Sequence, residues 1–274
     1  MALDGSDERM SGIRLATALA LVAALTGGCA AKSAILPAGT ADADKFLFDR
    51  GSESAKDRKW LNAREYFRNL VDNYPQSPYR PDAKLALGDT YLGEKTTESL
   101  LLGANEFREF LTFYPTHRRA DYAQLQLARS FTGQMLAPER DQSATRDAIK
   151  EIEIFLQRFP NSPLIADART LEREAKDRLS EANYRVGFYY FRVKWYTGAI
   201  DRFREILKTD PAYTNRDAVY YHLAESLYRD GQPETKPEAL PYYERLLREF
   251  EKSEYLELTQ KRVAELKGGS PAGK

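Results

Sequence analysis

Between Lys176 and Pro211 the chain reads KDRLSEANYRVGFYYFRVKWYTGAIDRFREILKTDP. Gly187 and Tyr190 stand twelve and nine residues before Ala199, and Phe203 and Pro211 follow Ala199 by four and twelve. Small residues let two helices approach closely, and bulky ones a turn away fill the seam between them. The same columns recur along the chain. Aromatic-Pro or Asp-Pro dipeptides end at Pro75, Pro115, Pro160 and Pro211, and Phe250-Glu251 keeps the register without its proline. Twelve residues before each of these lie Ala63, Gly103, Ala148, Ala199 and Ala239; eight before lie Phe67, Phe107, Ile152, Phe203 and Tyr243. Five and four before come apolar pairs: Leu70-Val71, Phe110-Leu111, Phe155-Leu156, Ile206-Leu207 and Leu246-Leu247. Apolar positions at this spacing make one helical stripe, and their recurrence marks an internal repeat.

A second helix precedes each of these. Gly51 stands before Ala63 as Gly187 stands before Ala199, and the Gly88/Tyr91 pair precedes Gly103 with three extra residues in the turn. The pattern is similar to that of the tetratricopeptide repeat (TPR). The expected fold is therefore all-α: a TPR-type solenoid of about five stacked helix hairpins, none able to cover its apolar face alone. The prolines and Glu251 are spaced by 40, 45, 51 and 40 residues, longer than a simple TPR period. Pro138–Thr145 (PERDQSAT) accounts for part of the excess as a loop insertion. Ser162-Pro163 reads as a helix start, with Ser as N-cap and Pro in the first turn, and Ser77-Pro78 repeats the signal. After it Leu164, Ala168, Leu171, Ala175, Leu179, Ala182, Val186, Tyr189 and Val193 step by three and four. This predicts one middle helix of about 30 residues, ~45 Å long, joining an N-terminal half (44–160) to a C-terminal half (161–267). Residues 268–274 (GGSPAGK) are expected to fray.

Composition removes several function classes. With 41 basic and 41 acidic side chains the chain has no net charge to draw in a nucleic-acid backbone. One cysteine cannot build a disulfide framework or a thiolate zinc site, and two histidines leave little for a metal centre. Gly88–Thr96 looks briefly like a phosphate loop, but Glu94 separates Gly93 from Lys95 and the segment reads as helix, not strand-turn-helix. His117 falls in a turn and His222 in a helix, neither with a partner at triad or metal spacing. No catalytic residue and no cofactor are expected.

The N-terminus is an address. Leu15–Leu25 (LATALALVAAL) is apolar but too short to span a bilayer, which needs about 20 residues. Arg9 and Arg14 precede it and small residues follow, the layout of a secretory signal over residues 1–28, with Met10 as an alternative start. Cys29 follows at once in LTGGC, which resembles a bacterial lipoprotein box, although Thr26 stands where a Leu is usual. The resemblance implies a lipidated Cys29 and, with Ala30 rather than Asp after it, an outer-membrane destination, and the small, polar and proline-broken residues from Ala30 to Ala43 read as a flexible tether over 29–43.

TPR first helices present side chains to a groove. The register places Lys45, Phe48, Leu85, Asp89, Tyr122 and Arg129 there, an amphipathic surface suited to a peptide. Lipobox and repeats together resemble the BamD family, TPR lipoproteins of the bacterial β-barrel assembly machinery. The likeness rests on YPQSPY (Tyr74–Tyr79), YPTHRRADY (Tyr114–Tyr122), FPNSPLIADA (Phe159–Ala168) and Lys176–Ile200. It implies a lipid-anchored, periplasm-facing outer-membrane scaffold that receives unfolded outer-membrane proteins in its N-terminal groove and docks the barrel-forming subunit with its C-terminal half. The alternative is another envelope TPR lipoprotein, a secretin pilotin or an envelope-constriction coordinator, built on the same scaffold.

Overall fold

A computed structural model describes residues 42–232 and 234–268, and the regular structure among them is entirely helical. The helices are α1 (Ala43–Lys56), α2 (Trp60–Asn73), α3 (Arg80–Glu94), α4 (Thr97–Phe113), α5 (Ala120–Thr132), α6 (Ser143–Arg158), α7 (Ile165–Arg192), α8 (Tyr196–Thr209), α9 (Arg216–Arg229), α10 (Thr235–Glu249) and α11 (Leu256–Leu266). Each packs on its neighbours in sequence, which makes five hairpins and a closing helix. The first helices α1, α3, α5, α7 and α9 also touch one another in series. Helices that converge lie on the inside of a bend, so these line the inner face of a curved solenoid. Cys29, the signal segment, most of the tether and residues 269–274 lie outside the described residues.

The repeated columns are the core. Phe67, Phe107, Ile152, Phe203 and Tyr243 are fully buried, as are Leu70, Phe110, Phe155, Ile206 and Leu246. Glycine acts where two helices come closest. A Cβ on Gly51, Gly88 or Gly187 would sit 2.6, 2.7 or 2.8 Å from the ring of Phe67, Phe107 or Phe203. The phenyl ring of each second helix thus lies on bare backbone of the first. The turns between these helix pairs reverse through one left-handed residue each: Arg58, Lys95 and Lys194. The three extra residues expected in the α3–α4 turn are not there. Only Lys95 and Thr96 connect the helices, α3 and α4 run to 15 and 17 residues, and Thr96 and Ser99 form a capping box.

Polar bonds hold the turn that leads into the next hairpin. Ser77 donates to Asp44 (2.6 Å), Arg119 to Asp82 (3.1 Å), Ser162 to Asp121 (2.6 Å), Thr214 to Asp177 (2.7 Å) and Ser253 to Asp217 (2.7 Å). Each links the turn closing one hairpin to an acid on the first helix of that hairpin, and four of the five acids sit in a first turn, where the helix dipole favours them. Ser77 and Ser162 therefore do something other than the expected N-capping. α3 and α7 begin after Tyr79 and Leu164, without side-chain caps, while the serine hydroxyls accept the Tyr79 and Leu164 amides and reach across to the acids.

Helix α7 is 28 residues long, against 16 for α6 beside it. At its middle the repeat pattern changes chemistry: Asp210 occupies the place held elsewhere by an aromatic. Its carboxylate accepts from both terminal nitrogens of Arg173 and from Ser180 (2.7 Å). Burial pushes its pKa up, but these hydrogen bonds win and hold it below the usual carboxylate range. A second buried acid, Glu225 on α9, is fully enclosed and accepts from Tyr243 on α10 (2.7 Å) and Arg262 on α11 (2.6 Å), with Arg229 alongside. It fastens the closing helix to the last hairpin. Gly187→Val should push a branched side chain into the Phe203 ring and cost about 1–3 kcal/mol; a urea midpoint that falls at unchanged slope is the expected readout.

Candidate functional site

The first helices α3 and α5 bring a set of polar side chains together on the inner face. Asp82 and Asp89 are seven apart on α3; Arg119 precedes α5, and Tyr122, Gln126 and Arg129 follow at one helical face. Asp89 accepts from Tyr122 (2.8 Å) and from Gln126 (3.1 Å), and Gln126 also donates to the Tyr122 hydroxyl (3.0 Å). Arg129 donates to Gln126 (3.0 Å) and pairs with Asp167 on α7 (2.8 Å). The Arg119 guanidinium lies over the Tyr122 ring at 4.4 Å. One network thus runs across three successive first helices.

Of the residues expected in the groove, Asp89, Tyr122 and Arg129 share this network. Phe48 on α1 is half-buried and stacks on Tyr79, with ring centroids 5.5 Å apart, and Lys45 beside it is exposed and paired with Asp49 at 2.6 Å. These two form an aromatic and basic corner of their own. Leu85 is a correction. It is fully buried among Ala104, Phe107 and Leu127, under the groove rather than on its surface, because its face of α3 turns toward α4. Gln126 and Arg119 were missed, although their spacing from Tyr122 and Arg129 places them on the same face of α5.

The electrostatics of the network follow from its enclosure. Burial raises the Asp89 pKa above the ordinary range, and the Gln126 and Tyr122 hydrogen bonds oppose that without cancelling it. Burial and the neighbouring Asp89 raise the Tyr122 phenol further, so it stays a donor. Arg129 and Arg119 keep roughly a third of their side-chain surface open, which leaves guanidinium donors for peptide carbonyls or carboxylates. Among the described residues no group of His, Cys, Asp and Glu could hold a metal ion. The His117 ring accepts the Arg119 amide in its turn (3.2 Å). His222 is wedged among Tyr184, Phe188, Phe191 and Tyr255, with Nδ1 2.8 Å from the Ala218 carbonyl oxygen, and burial lowers its pKa.

Residues 40–226 match the model of a family described as YfiO, outer membrane lipoprotein. The outer membrane protein assembly factor BamD of Caulobacter vibrioides is 26% identical over 216 residues, 78% of this chain and 70% of that protein. Its namesake in Vibrio cholerae serotype O1 is 27% identical over 175 residues, 60% of this chain and 71% of that protein. Among solved structures, the TPR2AB domain of yeast Sti1 in complex with pHSP90 is 14% identical, with a TM-score of 0.42 over 84% of this chain and 94% of that one.

A raised carboxyl pKa means that the folded protein carries an ionic burden at neutral pH, relieved as pH falls through that pKa. Asp89→Asn keeps an acceptor for Tyr122 and Gln126 and drops the charge. It should therefore melt at or above wild type at pH 7, with the difference closing toward about pH 4. Tyr122→Phe should lower stability by about 1 kcal/mol through the lost hydroxyl bond.

Proposed function

The chain belongs to the YfiO outer membrane lipoprotein family, and from that premise we propose that it is a non-enzymatic scaffold of outer-membrane protein assembly. The family match carries the reading, and the shared name of the BamD relatives supports the assembly role. The protein is held to the outer membrane by lipid on Cys29 and faces the periplasm. Its N-terminal groove binds segments of unfolded outer-membrane proteins, and its C-terminal half docks the barrel-forming subunit. The groove network supports peptide binding, because its open guanidiniums offer charged donors, and the Phe48–Tyr79 pair on the first hairpin adds an aromatic surface. The enclosure of His222 argues against a proton-transfer role for it, since no reacting group can reach the ring.

The mechanism is presentation. A lipid tether confines the scaffold to the membrane surface, and two sites on one solenoid raise the effective concentration of substrate near its partner. A labelled peptide copying the last strand of an outer-membrane barrel tests the groove. Lys45→Glu should weaken its binding with a stability change within about 0.5 kcal/mol, since Lys45 has only its exposed pairing with Asp49. Arg129→Glu should weaken binding and also lower the melting temperature, because it sets Glu against Asp167. Unchanged binding in both would end the groove assignment. Cys29→Ala should move the protein from the membrane fraction to the soluble one; retention in the membrane would refute the lipid anchor.

A further inference from the structure

The apolar stripe of α7 is covered along only half its length. Leu164, Ala168, Leu171 and Ala175 pack with Ile152 and Phe155 of α6 in one core cluster. The stripe then continues through Leu179, Ala182, Val186, Tyr189 and Val193, but α6 is too short to follow it. Val186, Tyr189 and Val193 are 40%, 62% and 53% exposed. Trp195 extends the patch at 55% exposure, yet it is held in place: its ring meets Tyr190 edge-on with centroids 4.5 Å apart and lies over Gly198, where a Cβ would come within 2.8 Å. Beside Leu179, Ala182 and Val186 the loop carrying Pro138 and Arg140 leaves a cleft of about 540 Å³.

The sequence of this face has heptad form. Leu179, Ala182, Val186, Tyr189 and Val193 fall at alternating spacings of three and four, the a and d positions of a helix seam. Arg178, Arg185 and Arg192 fall seven apart along one flank. Arg185 is already paired with Glu139 of the loop and with Glu181 one turn back on its own helix, and Arg178 donates to the Leu136 carbonyl oxygen at 2.9 Å. The side chains of Arg192 and the neighbouring Lys194 have no hydrogen-bond or ion-pair partner among the described residues. A second copy of the chain would bring the same basic row against this one, and like charges disfavour that pairing.

We infer that the exposed half of α7 is a docking seam for an amphipathic helix of a protein partner, with acidic residues along the edge that meets Arg192 and Lys194. Continuity names the occupant as a helix: the first half of the same stripe is filled by a helix, α6, and the seam runs on for about 22 Å in the same geometry. Charge complementarity names it as acidic. Bulky apolar side chains of the partner enter the cleft beside Ala182, and the fixed Trp195 indole closes the far end as a rigid anchor.

The test is site-specific photocrosslinking with the full chain in its native membrane. Tyr189 is replaced by a benzophenone amino acid, and Leu61, 74% exposed on α2, serves as the control position. The expected result is a protein adduct from position 189, absent from position 61, whose crosslinked peptide maps to an amphipathic helix with acidic flanks. Arg192→Glu breaks no hydrogen bond or ion pair with a described residue and changes only the charge at the exposed end of α7, so it should lower the melting temperature by at most a few degrees while reducing adduct yield about tenfold. Val186→Asp should abolish the adduct. Adducts with lipid alone, adducts with a non-helical or basic segment, a yield indifferent to Arg192→Glu, or no adduct at all would each overturn the assignment.

Discussion

The structure depends on a phenyl ring pressed against a helix that has no side chain in the way. Where Phe67, Phe107 and Phe203 cross Gly51, Gly88 and Gly187, the two helices of a hairpin close to a separation that even a methyl group would prevent. That separation sets the thickness of each hairpin, and so the surface left for the next one to stack on. The repeat is thus a packing unit before it is a sequence motif. Its interior is apolar at the same columns in every copy, and removing one of these rings would cost about 3–5 kcal/mol by the usual cavity penalty.

Stacking alone would let hairpins slide, since apolar faces are weakly directional. The hydroxyl-to-acid and arginine-to-acid ties between closing turns and first helices supply direction. They act at one end of each hairpin, and the Asp89–Tyr122–Gln126–Arg129 network acts further along the inner face. Because that network joins α3, α5 and α7, the groove surface and the register of the N-terminal hairpins have a common origin. A ligand that engages Arg129 therefore touches a group that also holds repeats together.

Much of this is legible in the sequence. The small and bulky columns name the hairpins and the large core residues of the second helices, because those positions answer to one local rule repeated five times, whereas Leu47, Leu125, Tyr213 and Tyr220 are buried outside those columns. What was not legible depends on how neighbours are aligned. Leu85 sits on a face that register alone could not assign, since a first helix meets both its partner helix and the adjoining hairpin. Ser77 and Ser162 have the residue type of an N-cap, yet long-range acids captured their hydroxyls. Gln126 lacked a signal of its own, being neither charged nor aromatic. The even stepping of the α7 stripe concealed the most informative difference: its two halves read alike and differ only in whether α6 is long enough to reach them.

Asp210 gives the molecule a seam of a different material. The corresponding joints of the neighbouring repeats are closed by Tyr114, Phe159 and Phe250, which acid does not touch, whereas this one is closed by an ionised carboxylate clasped by Arg173 and Ser180. A carboxyl with a depressed pKa lends stability above its unfolded value and surrenders it as pH drops through the folded one. As pH falls, the α7–α8 hairpin would accordingly lose this clasp between the end of α8 and the body of α7, whereas the aromatic joints at Tyr114, Phe159 and Phe250 carry no charge to lose.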